Sequence, residues 1–232
     1  MKFSRWVKLQ LQLFKRNLSD TLSKTKFCKK RHISTYQFSI TLSQPFTHSS
    51  TLEEKKHNLR LASSRIRQYI IYPGEVFSFW RCVGNPNHKS FACSRGIRGG
   101  VLHLERGGGL CQASGIIHHL SLLGGLEIIE RYNHSKDLYT EETRFCPLGS
   151  DATVAYGYRD LRIKNTTDSK IYFDLVVYDD YFSGNLKSEK EIKRHDIKFE
   201  CKELSDKRLE AKTIDGDNDI VIATSIYEKL SI

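Results

Sequence analysis

The sequence predicts an α+β fold: a mixed, mostly antiparallel sheet with a few packed helices in one central domain, preceded by an N-terminal helix. Strand-type and helix-type patterns follow one another without the βαβ rhythm of a parallel sheet. Hydrophobic residues make up 39% and aromatic residues 11% of the 232 residues, which is enough apolar surface for a closed core. We therefore divide the chain into residues 1–31, a basic amphipathic helix and connector; residues 32–178, the central domain; and residues 179–232, a charged extension.

Most of the positive charge lies in the first 31 residues. Ten Lys or Arg residues and one acidic residue there account for +9 of the formal net charge of +10. Apolar residues recur at helical spacing from Phe3 through Val7, Leu11 and Phe14 to Leu18, but polar and basic residues interrupt them. The pattern fits neither an export signal nor a membrane span. It leaves two alternatives: a helix packed on the domain, or a helix on an anionic membrane surface. We expect a cytoplasmic protein, located at the inner membrane surface in the second case.

The central domain is predicted to begin with a strand and a capped helix. The strand covers residues 37–42, and the helix starts at Thr51, with Glu54 three residues on as in a capping box. Further strands are predicted at residues 75–80, 127–131, 151–158, 161–165 and 171–178, a helix at residues 111–123, and a long loop at residues 81–109. Beyond residue 179, only residues 220–223 have a strand pattern.

A glycine-rich turn leading into the predicted helix is the strongest candidate for the functional site. Gly107, Gly108 and Gly109 precede Cys111 and Gln112. Glycines let backbone N–H groups approach a ligand closely, and the positive end of a helix dipole lowers the pKa of a thiol. Cys111 is therefore a candidate nucleophile, and Gln112 a candidate donor to a substrate oxygen. The alternatives are substrate contact without catalysis and a purely structural turn.

A cysteine nucleophile needs a general base and a residue that orients the base. His134 follows the strand predicted after the helix, and Asp151 follows Gly149 and Ser150, so we expect both near the start of the helix. Three other histidines compete for the role of base: His103, His118 and His119.

Glu75 offers a second chemistry. It follows Pro73 and Gly74 in an apolar strand, where desolvation would raise its pKa and keep it protonated as a general acid for glycan cleavage. The alternative is a turn glutamate paired with Arg81 or Arg106.

Arginines around the glycine turn predict an anionic ligand, because guanidinium groups bind carboxylates and phosphates in a fork. The candidate ligand-binding residues are Gly107, Gly108, Gly109, Gln112, Ser114, Arg95, Arg98 and Arg106. The chain has no nucleic-acid-binding motif. The spacing of Cys82 and Cys93 favours free thiols over a disulfide or a zinc site. We expect no metal, no cofactor and no nucleic-acid partner.

Several motifs, in the same order, resemble the VanW family between about Asn58 and Tyr178. They include residues 73–79, 107–114, 123–131, 133–135 and 149–157. The family is associated with vancomycin-resistance gene clusters, and its domain often accompanies cell-wall-binding modules. The resemblance therefore implies a bacterial accessory protein of the cell envelope with a peptidoglycan-related ligand. It supplies no reaction, so catalysis by Cys111, catalysis by Glu75, binding without chemistry and a membrane-surface scaffold remain alternatives.

Overall fold

The structure is a computed structural model that describes residues 3–32, 36–98, 101–137, 144 and 146–229, with the backbone only at residues 3, 97, 98, 101 and 102. The helices are α1 (Phe3–Leu22), α2 (Leu52–Ile66), α3 (Phe79–Val83) and α4 (Leu110–Leu123). The strands are β1 (Lys29–Lys30), β2 (Phe38–Pro45), β3 (Tyr69–Ile70), β4 (Val76–Ser78), β5 (Cys93–Arg98), β6 (Val101–Arg106), β7 (Glu127–Glu130), β8 (Arg162–Lys164), β9 (Ile171–Val177), β10 (Tyr181–Ser188), β11 (Ile197–Ser205), β12 (Arg208–Asp215) and β13 (Ile220–Glu228). The predicted α+β class is confirmed.

The core includes the contact between α4 and a three-stranded antiparallel sheet in the order β2-β10-β9. Ile116, Ile117 and Leu120 of α4 are completely buried. Gly184 of β10 allows the helix to approach the sheet closely, because a Cβ at this position would lie 3.0 Å from side-chain atoms of both Ile116 and Leu120. This packing fixes α4, and α4 carries Cys111 in its first turn.

Two segments have a secondary structure that differs from the one predicted from the sequence. The predicted loop at residues 81–109 contains the end of α3 and the antiparallel hairpin β5–β6. The predicted strand at residues 151–158 is irregular instead. Its backbone groups bond to separate partners, such as the Tyr132 carbonyl oxygen, which accepts from the Thr153 N–H at 2.7 Å. The segment is thereby free to carry polar side chains in different directions.

The start of α2 uses its capping residue differently from the prediction. Thr51 is the N-cap residue, but its side chain makes no capping hydrogen bond. Thr51 Oγ1 instead accepts from the Arg95 N–H at 3.2 Å and from the Ser94 hydroxyl at 3.2 Å. The predicted capping box with Glu54 is therefore wrong, and Thr51 ties the hairpin β5–β6 to α2.

α1 is docked on the domain along one face and exposed along the other. Leu9 is buried against Gly157, where any Cβ would collide with it. Asp20 is 7% exposed and binds Arg162 at 2.5 and 3.1 Å and Arg81 at 3.0 Å. The outer face exposes four apolar side chains, which are Leu11, Phe14, Leu18 and Leu22. Within the described residues, no helix is long and apolar enough to cross a membrane.

The residues beyond β10 form the antiparallel sheet β11-β12-β13. Ala211, Ile214 and Tyr227 are buried on this sheet, whereas most residues of β11 are exposed. The charged residues of the exposed face hide the strand pattern, so the sequence indicated only residues 220–223. β10 itself belongs to the central sheet, where it pairs with both β2 and β9.

Replacing Asp20 with Asn should loosen the docking of α1. The change removes the negative charge that Arg162 and Arg81 share, although Arg162 keeps its contacts with Asp160 and Glu130 at 3.3 Å. We expect the free energy of unfolding to fall by about 1–3 kcal/mol, measured by urea denaturation. Ser19→Ala, at an exposed neighbouring position, is the control and should change stability by less than about 0.5 kcal/mol. Equal stabilities of the two variants would show that this ion pair does not hold α1.

Candidate active site

A cleft of about 1220 Å³ brings together four separate parts of the chain. Its border includes Trp6 and Leu9 of α1, the segment before α2, the hairpin β5–β6, and residues 146–156. The glycine turn and the start of α4 lie between them. A residue predicted to be catalytic or to bind a ligand can act on a ligand in this cleft only if it borders the cleft.

The glycine turn presents Cys111 to the cleft. Gly107 (φ 77°) and Gly109 (φ 92°) occupy the left-handed backbone region that favours glycine. Gly108 is required for another reason, because a Cβ there would lie 2.6 Å from the Arg95 carbonyl oxygen of β5. Cys111 is the second residue of α4. In the described part of the chain, its N–H and that of the preceding residue have no hydrogen-bond acceptor.

Cys111, His134 and Asp151 lie together at the border of the cleft. His134 Nδ1 donates to Asp151 Oδ2 at 2.6 Å, and the His134 backbone N–H donates to the same oxygen at 2.8 Å. His134 also interacts with the Cys111 thiol, and this interaction lowers the pKa of Cys111 and raises that of His134. Cys111 Sγ also lies 3.6 Å from Thr153 Oγ1. The candidate nucleophile, base and orienting carboxylate thus meet in one place.

The pKa values of the three residues favour a thiolate–imidazolium pair held by a carboxylate. Burial alone would raise the pKa of the Cys111 thiol, but the hydrogen bond and charge of His134 outweigh burial and lower it. Burial alone would lower the pKa of His134, but hydrogen bonds to Asp151 and Cys111 raise it to about 10. Burial also disfavours the charge on Asp151, yet His134 and Arg131 hold the pKa of Asp151 well below its usual value.

Asp151 is held by two residues to which the sequence analysis assigned no role in the site. Arg131 donates to Asp151 Oδ1 at 2.9 Å and to the Asp151 carbonyl oxygen at 2.8 Å. The Tyr227 hydroxyl, on β13, donates to the same Oδ1 at 2.5 Å and accepts from the Gly149 N–H at 2.9 Å. An arginine just after a strand and a tyrosine 76 residues from Asp151 show no pattern in the sequence, and only the fold brings them together.

Gln112 lies next to Cys111 and has unused hydrogen-bonding capacity. It is 8% exposed and borders the cleft. Among the described residues, neither its Nε2 nor its Oε1 has a hydrogen-bond partner. A buried amide without partners is unfavourable by about 1–3 kcal/mol, and polar groups of a ligand would offset this. Gln112 and the free N–H groups at the start of α4 therefore form a candidate oxyanion-binding position.

The remaining predicted ligand-binding residues fall into two groups. Those that border the cleft are Gly107, Gly109, Arg95 and Arg106. Gly108 and Ser114 do not border it. Ser114 is fully buried and donates to the Ala152 carbonyl oxygen at 2.7 Å, so its hydroxyl fastens α4 to the segment that carries Asp151 instead of contacting a ligand. The side chain of Arg98 lies outside the described residues.

Glu75 lies outside the cleft, and its protonation differs from the prediction. Its carboxylate binds the Arg31 guanidinium at 2.6 and 2.7 Å and accepts from the Tyr72 N–H at 3.0 Å. Burial would raise the pKa of Glu75, but these contacts outweigh burial and lower it. Glu75 is thus an ionised structural residue paired with Arg31, not with Arg81 or Arg106, and the structure removes it as a general acid.

The histidines that competed with His134 have other surroundings. Burial lowers the pKa of His118 to about 3 and that of His119 to about 4, so both rings are neutral at physiological pH. His103 lies on β6, 3.1 Å from Glu105. Of the histidines considered as a base, His134 is the one that lowers the pKa of Cys111.

One group of possible metal ligands occurs among the described residues. It consists of His195, Asp215 and Asp217, whose ligand atoms lie within 4.8 Å of one another. This group is away from the cleft, and Lys193 already binds Asp217 at 3.0 Å. The two cysteines considered for zinc or a disulfide have different surroundings. Cys82 is buried beside Cys28, whereas Cys93 is exposed on β5.

The fold and the site together define a class of protein: an α+β domain in which a cysteine at a helix start lies beside a histidine that is hydrogen-bonded to an aspartate. A family model described as VanW like protein matches residues 54–187, more than half of the chain, and the chain belongs to the VanW family.

Two curated relatives show where the similarity lies. The chain is 34% identical over 142 residues to the uncharacterized protein YoaR of Bacillus subtilis, covering 60% of this chain and 44% of YoaR. It is 31% identical over 140 residues to the vancomycin B-type resistance protein VanW of Enterococcus faecalis, covering 60% of this chain and 51% of that protein. The chain thus spans about half the length of the curated relatives it matches. No solved structure matches it.

Alkylation of Cys111 should show a lowered pKa. Because His134 stabilises the thiolate, reaction with iodoacetamide should stay fast below pH ~8.5, the pKa of an ordinary cysteine. His134→Gln removes the stabilising charge, so the rate profile should move up by about one pH unit and the rate at pH 7 should fall about tenfold. Mass spectrometry of the Cys111 peptide measures the rate.

The exposed Cys93 and Cys201 serve as references within the same sample. His103→Gln is the matched control, because His103 lies on β6 and bonds to Glu105. A Cys111 profile that coincides with those of the two exposed cysteines would contradict the thiolate–imidazolium pair.

Proposed function

We propose that the protein is a cysteine-dependent acyl transferase or amidase that acts on a peptide of a peptidoglycan fragment or precursor. We propose further that it does so in the accessory, glycopeptide-resistance-related role suggested by the name of its Enterococcus faecalis relative. The observation that carries the reaction type is the meeting of three residues at the border of an open cleft: Asp151 hydrogen-bonded to His134, and Cys111 with a pKa lowered by His134. A base held by a carboxylate and bonded to a thiol is the arrangement that nucleophilic acyl chemistry requires.

In the first half of the proposed reaction, the Cys111 thiolate attacks a substrate carbonyl carbon. The C–S bond forms, and the carbonyl electron pair moves to oxygen, where the free N–H groups of α4 and the Gln112 amide would stabilise the charge. Protonated His134 then gives its proton to the leaving amine nitrogen as the C–N bond breaks. The product of this half is a thioester on Cys111.

In the second half, an amine or a water molecule attacks the thioester carbon. Neutral His134 accepts the proton of the incoming group, and the Cys111 thiolate leaves as the C–S bond breaks. Attack by an amine completes acyl transfer, and attack by water completes amide hydrolysis. Asp151 keeps the ring of His134 oriented and stabilises its positive charge in both halves.

The size of the cleft and the family of the protein both support a peptide substrate from the cell wall. The cleft volume of about 1220 Å³ exceeds the roughly 300–1,000 Å³ of small-molecule sites. Peptidoglycan peptides contain both the amide bonds that a thiolate attacks and the amines that accept an acyl group. Membership of the VanW family supports the same assignment.

Incubation with muropeptides should give a covalent acyl adduct on Cys111, detected by intact-protein mass, and a transfer or hydrolysis product. Cys111→Ala should abolish the adduct and lower the rate of product formation at least about 1,000-fold, because the nucleophile is lost. Cys146→Ala is the matched control, since Cys146 borders the same cleft but burial raises its pKa to about 11. Glu75→Gln should leave the reaction unchanged.

Full activity in Cys111→Ala would overturn the mechanism. Binding of muropeptides by the unmodified protein with no adduct and no product would instead support the alternative of a binding module without chemistry.

A second proposal concerns the location of the protein. We propose that the outer face of α1 lies on an anionic membrane surface, on the cytoplasmic side. Its four apolar side chains are 48–75% exposed. Lys8 and Lys15 are exposed on the same helix, whereas Asp20, its one acid, faces the domain. Exposed apolar residues next to basic residues are typical of helices that bind anionic lipid surfaces.

Replacing Phe14 and Leu18 together with Ser should weaken cosedimentation with phosphatidylglycerol vesicles at least about tenfold, because each apolar side chain contributes about 1.5–3 kcal/mol when it is buried. The docked face of α1 is unchanged, so urea denaturation should give the same stability. Leu204→Ser is the control, because Leu204 on β11 is 49% exposed and Leu18 is 48% exposed. Equal vesicle binding by both variants would remove the membrane proposal.

A further inference from the structure

Lys55 is a cleft residue with no assigned role. It lies in the first turn of α2, and its side chain borders the cleft. The stem packs against the glycine turn, since a Cβ at Gly109 would lie 2.6 Å from Lys55 Cγ and 3.4 Å from Cδ. Gly109 is the N-cap of α4, two residues before Cys111. Lys55 is therefore held against the turn that presents the nucleophile.

Lys55 is half-buried, and its ammonium group has no carboxylate partner among the described residues. Its Nζ lies 5.5 Å from the centre of the Phe46 ring. Burial without a compensating negative charge lowers the pKa of Lys55 to about 8. The adjacent Lys56 shows the usual alternative, because its Nζ bonds to Glu53 at 2.8 Å. A desolvated and unpaired cation is unfavourable, and a bound anion would offset that penalty.

The charge of the rest of the cleft points to the same kind of ligand. Seven lysine or arginine side chains border it, against three carboxylates. Each of the three carboxylates already has a protein partner: Asp151 bonds to His134, Asp137 to Arg144, and Glu105 to His103. An excess of positive charge in a concave site attracts and orients anionic groups.

We propose that Lys55 binds a carboxylate of the acyl-donor peptide and thereby sets the position of its carbonyl carbon relative to Cys111. The substrate class is then a peptide with a free carboxylate close to the amide bond that is attacked. The peptide part of this assignment rests on the proposed function, whereas the carboxylate site itself is testable without turnover.

The test compares two alkylating probes that differ only in charge, bromoacetylglycine and its neutral amide, bromoacetylglycinamide. In both, the thiolate displaces bromide and forms a C–S bond, so the ratio of their rates at Cys111 reports recognition of the carboxylate. We expect Lys55→Met to lower this ratio about three- to tenfold. Lys55→Arg, which keeps the charge, should retain most of it. Peptide mass spectrometry follows Cys111 separately from the exposed Cys93 and Cys201.

Lys56→Met is the matched control, because Lys56 has a carboxylate partner and does not border the cleft; it should change the ratio less than twofold. An unchanged ratio in Lys55→Met would overturn the inference. Failure of the proposed function has a different signature: in the unmodified protein, Cys111 would then react with the neutral amide no faster than the exposed cysteines.

Discussion

The hydrogen-bonded carboxylate of Asp151, which is 15% exposed, is the group on which the rest of the site depends. A carboxylate is stable away from water only when charges and donors replace its hydration shell. Here an imidazole, a guanidinium, a phenol and a backbone N–H do so. These groups come from the segment after β7 and from β13, so Asp151 strengthens a junction between two parts of the chain that also bond directly, as where the Asp137 N–H donates to the Glu228 carbonyl oxygen at 2.9 Å. The orientation of His134, and through it the pKa of Cys111, follows from this junction.

A second constraint is that a deeply buried helix must expose one sulfur atom. α4 is apolar and covered by β10, where Gly184 lets the helix approach the sheet. The polar end of such a helix is its first turn, whose N–H groups have no partner within the helix. The left-handed glycines end the preceding hairpin abruptly enough to bring that turn to the cleft. Cys111 therefore combines a rigid support with access to a ligand.

The sequence predicted correctly those features that depend on residues close together in the chain. The glycine turn, α4, and the neighbouring His134 and Asp151 were all predicted, because turns and helix starts depend on adjacent residues. Glu75 was misjudged, because its partner Arg31 lies 44 residues away and neutralises the effect of burial. Tyr227 and Lys55 were also missed, because neither a buried phenol nor a desolvated lysine has a recognisable sequence motif. The C-terminal sheet was hidden by the charged residues on its exposed face.

The chemistry and the walls of the cleft come from different parts of the chain. Residues 54–187, which match the family, supply the cysteine, the histidine and the aspartate. α1 and β13 lie outside that range, yet α1 borders the cleft and β13 bonds to Asp151. Among the described residues, none of the hydrogen bonds to Cys111, His134 or Asp151 comes from α1, so α1 contributes to the wall of the cleft and not to the Cys–His–Asp geometry. A change at Tyr227 acts on the geometry itself, because it removes one of the donors that keep Asp151 charged and in place.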